Sequence, residues 1–168
     1  MLWTYNYFHS IERTQTCLTQ GDEFMGHFAE VQDVLDNYSL SVYGKDIEKF
    51  ISPYASEIHI YDCWDKWEFI GVDQWAESVT GWFNGLSEEG VLLKTNFDNV
   101  VVEENSNLAF VHCAVTFAAY NVAGEKLRQI TNRFTFGLRK ENGSWSIIHQ
   151  HSSLPLNMES GKGIFNLK

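Results

Sequence analysis

The chain has little positive charge. Twelve Lys and Arg stand against 22 Asp and Glu, a formal net charge of −10. Sequence-independent nucleic-acid binding needs a surplus of basic side chains to displace counterions, so that class is excluded. Docking on anionic membrane surfaces is disfavoured for the same reason. A neutral or cationic partner is easier to accommodate. No segment holds 18 uninterrupted apolar residues, so nothing is expected to span a membrane. The N-terminus, MLWTYNYFHSIERTQT, lacks a basic stretch followed by an apolar run and is a poor signal peptide. Only three cysteines occur, Cys17, Cys63 and Cys113; they form no metal-like pair, and any one bridge leaves a thiol over. Cys113 falls mid-strand, where a buried free thiol is ordinary. A reducing compartment follows, and a cytoplasmic location is expected. No phosphate-cradling glycine loop, nucleophile elbow or dinucleotide fingerprint is present, so no cofactor is expected. Proline occurs twice. Both read as boundaries: Ser52-Pro53 closes a short helix, and Pro155 ends the last strand.

What is present fits a globular domain. Hydrophobic residues make up 44% and aromatic residues 15% of 168 positions. A chain of this length buries about 70% of its unfolded surface as one domain. No internal repeat, low-complexity tract or linker interrupts it.

The stretch from Asn107 to Pro155 predicts three consecutive antiparallel strands. Asn107–Tyr120 is rich in β-branched and aromatic residues, and Asn121–Gly124 turns it. Glu125–Arg139 alternates polar and apolar residues. Glu141-Asn142-Gly143 is a hairpin signal, because Asn and Gly tolerate the positive φ of a tight turn. Ser144–Ser153 returns. Upstream, Gly21–Tyr43 predicts a helix capped by Asp22, with Phe24, Phe28, Val31, Val34, Leu35 and Tyr38 on one apolar face. Gly44 is expected to end it in a left-handed conformation. Asp46 caps a short second helix to Ile51. Glu57–Asp62 alternates as a strand. Cys63–Ile70 is irregular and aromatic. Val72–Leu86 predicts a third helix, capped by Asp73, with Val72, Trp75, Val79, Trp82, Phe83 and Leu86 as its buried stripe. Val91–Glu104 predicts another strand. This order is α+β, with helices on one face of an antiparallel sheet.

With that order, the segment KDIEKFISPYASEIHIYD and the ending NGSWSIIHQHSS give the chain a resemblance to the nuclear-transport-factor-2-like superfamily. It resembles the SnoaL-like and ketosteroid-isomerase-like branch over roughly residues 24–155. The resemblance implies a cone-shaped, cystatin-like domain. A curved antiparallel or mixed sheet of four to six strands would be covered on its concave face by three N-terminal helices, with a pocket between. The expected division is an N-terminal arm at 1–22, the SnoaL-like domain at 23–156 and a flexible tail at 157–168. The arm, with Trp3, Tyr5, Tyr7 and Phe8, packs on its own domain, covers a partner subunit or lids the pocket. In Leu108–Tyr120 both strand faces are apolar, so both are expected to be covered. Helices cover one. A second copy of the chain, a homodimer through the outer sheet face, is the simplest cover for the other and matches the family's habit.

Four groups of residues carry possible chemistry. The resemblance places Tyr38 and Asp62 on the oxyanion-donor and proton-shuttle positions of ketosteroid isomerases. A phenol can stabilise an enolate, and a carboxylate in a dry pocket can act as a base. The family's second, acidic donor falls near Thr131–Thr135, where no acid occurs, and Asp62 lacks the proline that usually follows. The bland alternative makes Tyr38 a core tyrosine and Asp62 a strand end. The family's strand pattern puts His112, Thr131, Arg133, Thr135, Gln150 and Ser152 on the pocket side. Arg133 there could grip an anion in a bidentate fork, and His112 could be an acid or base, or else a satisfied interior histidine. Only one pocket histidine appears, which disfavours dehydration. His149 and His151 share one strand face. They fall opposite the pocket and are read as structural, so no metal is expected. Trp64, Trp67, Trp75 and Trp82 are core by default, and Trp64 and Trp82 would also suit a flat apolar ligand as pocket walls.

Two function classes remain. One is a cofactor-independent pocket protein binding a small apolar or weakly anionic molecule, with acid–base chemistry such as isomerisation at Asp62 and Tyr38. The other is a non-catalytic homodimeric module with a vestigial pocket.

Overall fold

Hydrophobic periodicity accounts for the architecture. The computed structural model of the chain describes residues 26–165. The N-terminal arm and the expected cap Asp22 lie outside the described residues. Helix α1 spans Val31–Gly44 and buries Val31, Val34, Leu35, Tyr38 and Val42 on one side. Glu30 caps its N-terminus: the Glu30 N–H donates to the Asp33 carboxylate at 2.9 Å. The left-handed residue that ends α1 is Lys45, at φ 52°, one position beyond the glycine expected there. Helix α2 spans Ile47–Ile51, and Asp46 accepts from the Lys49 N–H at 3.0 Å as its cap.

Strand β1 runs Tyr54–Tyr61 and starts three residues earlier than its alternation suggests. The aromatic stretch after it contributes a two-residue strand, β2 (Phe69–Ile70). Helix α3, Val72–Glu89, begins before the expected cap Asp73, which instead sits in its first turn. Gly71 takes the capping position at φ 83°, a conformation glycine adopts without penalty, and its N–H donates to the Ile58 carbonyl at 2.8 Å. The stripe of α3 is buried as expected: Trp75, Val79, Phe83 and Leu86 fully, Val72 and Trp82 in part. Among the described residues no helix is long and apolar enough to cross a membrane.

Strands β3 (Leu92–Glu104), β4 (Leu108–Tyr120), β5 (Lys126–Glu141) and β6 (Ser144–Ser153) complete the sheet. Asn142 and Gly143 adopt φ 51° and 80° in the β5–β6 hairpin, the positive values that an Asn-Gly turn supplies. The six strands lie in the order β2-β1-β6-β5-β4-β3. Pairing is antiparallel except between β1 and β6, which run parallel. The sheet is therefore mixed, and the fold is α+β with its helices in the N-terminal half.

Parity along the strands decides which side chains face the helices. In β4 the alternating buried set is Ala109, Val111, Cys113, Val115, Phe117 and Ala119, with Ala118 buried out of step near the strand's end. Their partners across β5 are Leu138, Phe136, Phe134, Asn132, Ile130 and Arg128. His112 pairs with Thr135, Ala114 with Arg133 and Thr116 with Thr131, so these residues stand on the opposite, outer face. The expectation that His112, Thr131, Arg133 and Thr135 face the pocket is corrected here. The cause is the Phe134-x-Phe136-x-Leu138 alternation, which turns the intervening polar residues outward. In β6 a register shift at Gly137/Leu138 changes parity. Trp145 and Ile147 point inward before it, and Gln150 and Ser152 after it, as expected for the last two.

The aromatic core centres on Phe50, 1% exposed. Its ring lies 4.8 Å from Tyr38, 5.6 Å from Phe83 and 5.7 Å from Tyr54. Cys113 is buried mid-strand as a free thiol, and burial pushes it up to about 12. Beyond Pro155 the chain folds back: Leu156 bridges Gly163, and the Thr131 N–H donates to the Phe165 carbonyl at 2.9 Å. Phe165, in the segment read as a tail, thus meets β5 at Thr131, just beyond the last residue that β6 pairs with.

Candidate functional site

A cavity of about 480 Å³ opens between α1, α3 and the inner face of β4–β6. That volume falls in the range of small-molecule sites. Helix α1 supplies Tyr38, and the end of β1 supplies Asp62. Trp64 and Asp65 enter from the following loop. The buried stripe of α3 contributes Trp75, Val79 and Trp82. Phe117 comes from β4, Arg128, Asn132 and Phe134 from β5, and Gln150 from β6. Of the seven residues singled out by sequence, Tyr38, Asp62, Trp64, Trp82 and Gln150 line this one volume. His112 and Arg133 do not. Sequence reasoning did not reach Asp65, Arg128 and Asn132. For the last two, the Phe134–Phe136 alternation extended back along β5 is the signal that could have found them.

Asp62 is the most elaborated polar group in the site. Ser152 Oγ donates to its Oδ1 at 2.5 Å, and the Cys63 N–H donates to the same oxygen at 2.9 Å. One carboxylate oxygen is thus anchored to the scaffold, and the other has no partner among the described residues. Burial pushes Asp62 above the usual carboxylate range, with the Asp65 charge adding to the rise, against the opposing pull of the Ser152 and Cys63 hydrogen bonds. Burial also raises Tyr38 well above an ordinary phenol, so its hydroxyl stays protonated and acts as a donor. The charges of Tyr54 and then Asp62 add to that rise.

The linkage sign follows. An acid raised in the folded state contributes stability below its unfolded pKa and loses that contribution as pH rises through its folded pKa. Asp62→Asn removes the titration while keeping an acceptor for Ser152. The variant is therefore expected to gain Tm relative to the parent at neutral and alkaline pH. The gap should shrink to nothing as pH falls to the ordinary carboxylate range. Melting curves from pH 4 to 8 with a constant gap would show that Asp62 is not held in a dry environment.

Gln150 forms the back wall. Its Oε1 accepts from the Tyr54 hydroxyl at 2.7 Å in a fully buried pair, and burial raises the Tyr54 phenol as well. Asn132 is 2% exposed; its Nδ2 donates to Cys63 Sγ at 3.2 Å while its Oδ1 has no partner. Unpaired buried polar atoms cost free energy, and a bound molecule with matching groups removes that cost. At the mouth, Arg128 is gripped by both carboxylate oxygens of Glu89, which it holds below the usual range. Trp64 stacks on Phe165 at 5.7 Å with ring planes 9° apart, so the refolded C-terminal segment braces one wall.

On the outer face, His149 Nδ1 donates to the His59 carbonyl at 2.8 Å, and His151 lies edge-on to Tyr61. Among the described residues no group of three or more His, Cys, Asp or Glu is placed to hold a metal ion.

Comparison with known proteins gives the fold relatives. The family model described as "SnoaL-like domain" matches residues 31–157. No curated protein matches the chain. An NTF2-like protein of unknown function from Pseudomonas putida is 24% identical, with a TM-score of 0.72 over 83% of this chain and 94% of that one. A putative calcium/calmodulin-dependent protein kinase II association domain from Xanthomonas campestris is 19% identical, with a TM-score of 0.61 over 73% of this chain and 84% of that one. A putative aromatic ring hydroxylase from Novosphingobium aromaticivorans is 15% identical, with a TM-score of 0.60 over 73% and 85%. At these identities the likeness carries the fold alone, and the differing descriptions show that one scaffold hosts unrelated tasks.

Proposed function

The chain belongs to the SnoaL-like domain family of the nuclear-transport-factor-2-like superfamily, and from that premise we propose that its cavity binds a small, largely apolar molecule and moves a proton on it without a cofactor. One observation carries this reading: Tyr38 and Asp62 line the same aromatic-walled volume. Ser152 and the Cys63 N–H hold Asp62 Oδ1, so Oδ2 is the oxygen free to take a proton from a carbon next to a carbonyl. The raised carboxyl is better matched to that task than an ordinary one, because a stronger base abstracts more readily. Tyr38 donates to the carbonyl oxygen as it gains charge, and aromatic walls keep water from competing for that hydrogen bond. Asp62 then returns the proton to a different carbon, and the net reaction is an isomerisation.

The test uses an apolar β,γ-unsaturated ketone as probe. Asp62→Asn and Tyr38→Phe are each expected to lower turnover, or probe affinity where turnover is slow, by about tenfold or more. Both variants behaving as the parent would leave these groups as core residues and the protein as a binding module.

The second part of the proposal is a homodimer through the outer sheet face. Val101, Leu108 and Phe110 are 41%, 48% and 50% exposed there, and Leu108 and Phe110 with Ile148 edge a shallow trough above Gly137 that Glu103 and Glu104 also line. A second copy turned about a two-fold axis would bury the same patch on itself. If turnover is absent and the dimer present, the assembly reading stands in place of the catalytic one.

A further inference from the structure

The charge around the cavity is one-sided. Asp62, half-buried, and Asp65, exposed, both line it, and the Asp65 charge adds the smallest share to the rise at Asp62. The single cation in the lining among the described residues, Arg128, is already neutralised by the two oxygens of Glu89. The lining also carries the indoles of Trp64, Trp75 and Trp82, with Phe117 edge-on to Trp82 at 5.9 Å and Phe165 stacked on the other side of the Trp64 ring. Deeper in, the 2%-exposed Asn132 presents an Oδ1 that nothing in the chain donates to.

We infer that the preferred ligand of this cavity is a lipophilic cation, an apolar body carrying an ammonium group seated between Asp65 and the indole faces of Trp64 and Trp82. Each part of the arrangement favours positive charge. Indole faces carry negative quadrupole density and attract an ammonium group. The carboxylates supply full charges of the right sign. An N–H on the ligand would give Asn132 Oδ1 the donor it lacks. The surplus negative charge of the chain raises the local concentration of cations at the mouth. An anionic ligand would meet the opposite at every step and would have to displace Glu89 from Arg128. This keeps the apolar body expected from sequence and puts a cation in place of the weakly anionic option, which leaned on Arg133. That residue is on the other side of the sheet.

The inference rests on the reading that the cavity takes a small molecule, and it names the class of that molecule. Three probes of matched shape test it on the full chain by calorimetry at pH 8. They are 3-phenylpropyl-trimethylammonium, its neutral tert-butyl isostere, and 4-phenylbutyrate. The cation is expected to bind about tenfold tighter than the isostere, with the anion weakest. Asp65→Asn should take away most of that preference and leave the isostere's affinity unchanged; added salt should weaken only the cation. Equal affinities for cation and isostere, or tightest binding of the anion, overturn the inference while the pocket reading survives. Binding of none of the three removes both. A cation preference that persists in Asp65→Asn also overturns the assigned seat.

Discussion

Phe50→Ala is expected to cost about 3–5 kcal/mol of folding stability and to lower Tm by roughly 10 °C in a chain of this size. Phe50 comes from α2, a helix of five residues that brings little stability of its own. Its ring is nonetheless 1% exposed and touches the rings of three other elements: Tyr38 of α1, Tyr54 of β1 and Phe83 of α3. Truncation leaves a void bounded by rigid rings, which cannot collapse into it as aliphatic side chains would. The same void frees Tyr38, 4.8 Å away, so ligand affinity should fall with stability. Urea denaturation checks the first part: the midpoint should drop with the m-value unchanged. Trp67→Ala is the control. That indole is 87% exposed, and its loss should change stability by less than about 0.5 kcal/mol. A Phe50→Ala variant as stable as this control would mean that α2 is an accessory and the rings pack without it.

Phe110→Glu is expected to separate the proposed dimer into monomers while leaving each monomer folded. Phe110 lies on the outer face opposite Glu103 and Gly137, with half its surface exposed. In a two-fold interface the substitution appears twice, and each new carboxylate faces the Glu103 and Glu104 region of both copies. Losing a central aromatic anchor and adding like charge should weaken association about a hundredfold. Sedimentation velocity across a dilution series reads this directly, and Tm at high dilution should match the parent's. A parent chain that sediments as a monomer, or a variant that remains dimeric, would move the interface elsewhere or remove it.

The fold was legible because its signals are local. The hairpin at Asn142-Gly143, the Asp46 cap and the α3 stripe each need only a few neighbouring residues, and each is in place. Facing was legible only where one side of a strand is clearly polar. In β5, Phe134, Phe136 and Leu138 against Arg133 and Thr135 mark the inner face, and the pattern carried over from relatives overrode that alternation and turned Thr131, Arg133 and Thr135 inward. In β4 both faces carry Ala and Phe and are largely apolar, so burial preference cannot choose between them, and a pattern carried over from relatives put His112 on the wrong side. Antiparallel pairing with β5 decides it, which is a long-range fact. Gln150 was placed correctly although a register shift in β6 reverses the parity of that strand. Asp65 lies in the loop after β1, where no periodicity marks a position, whereas Arg128 falls on the inward parity of β5.

Strands β1 and β6 lie side by side, with Tyr61 beside His151, although nearly the whole remaining sheet is synthesised between them. On the ribosome, the first strand therefore waits without its neighbour until the last has emerged. Asp62 waits with it, because Ser152 belongs to that final strand. A polypeptide released after Glu141 would keep every helix and five strands, yet its carboxylate would hang unanchored at an open edge. Premature termination near the end of the message should thus yield a sticky, inactive product that quality control removes, instead of a weakened version of the whole.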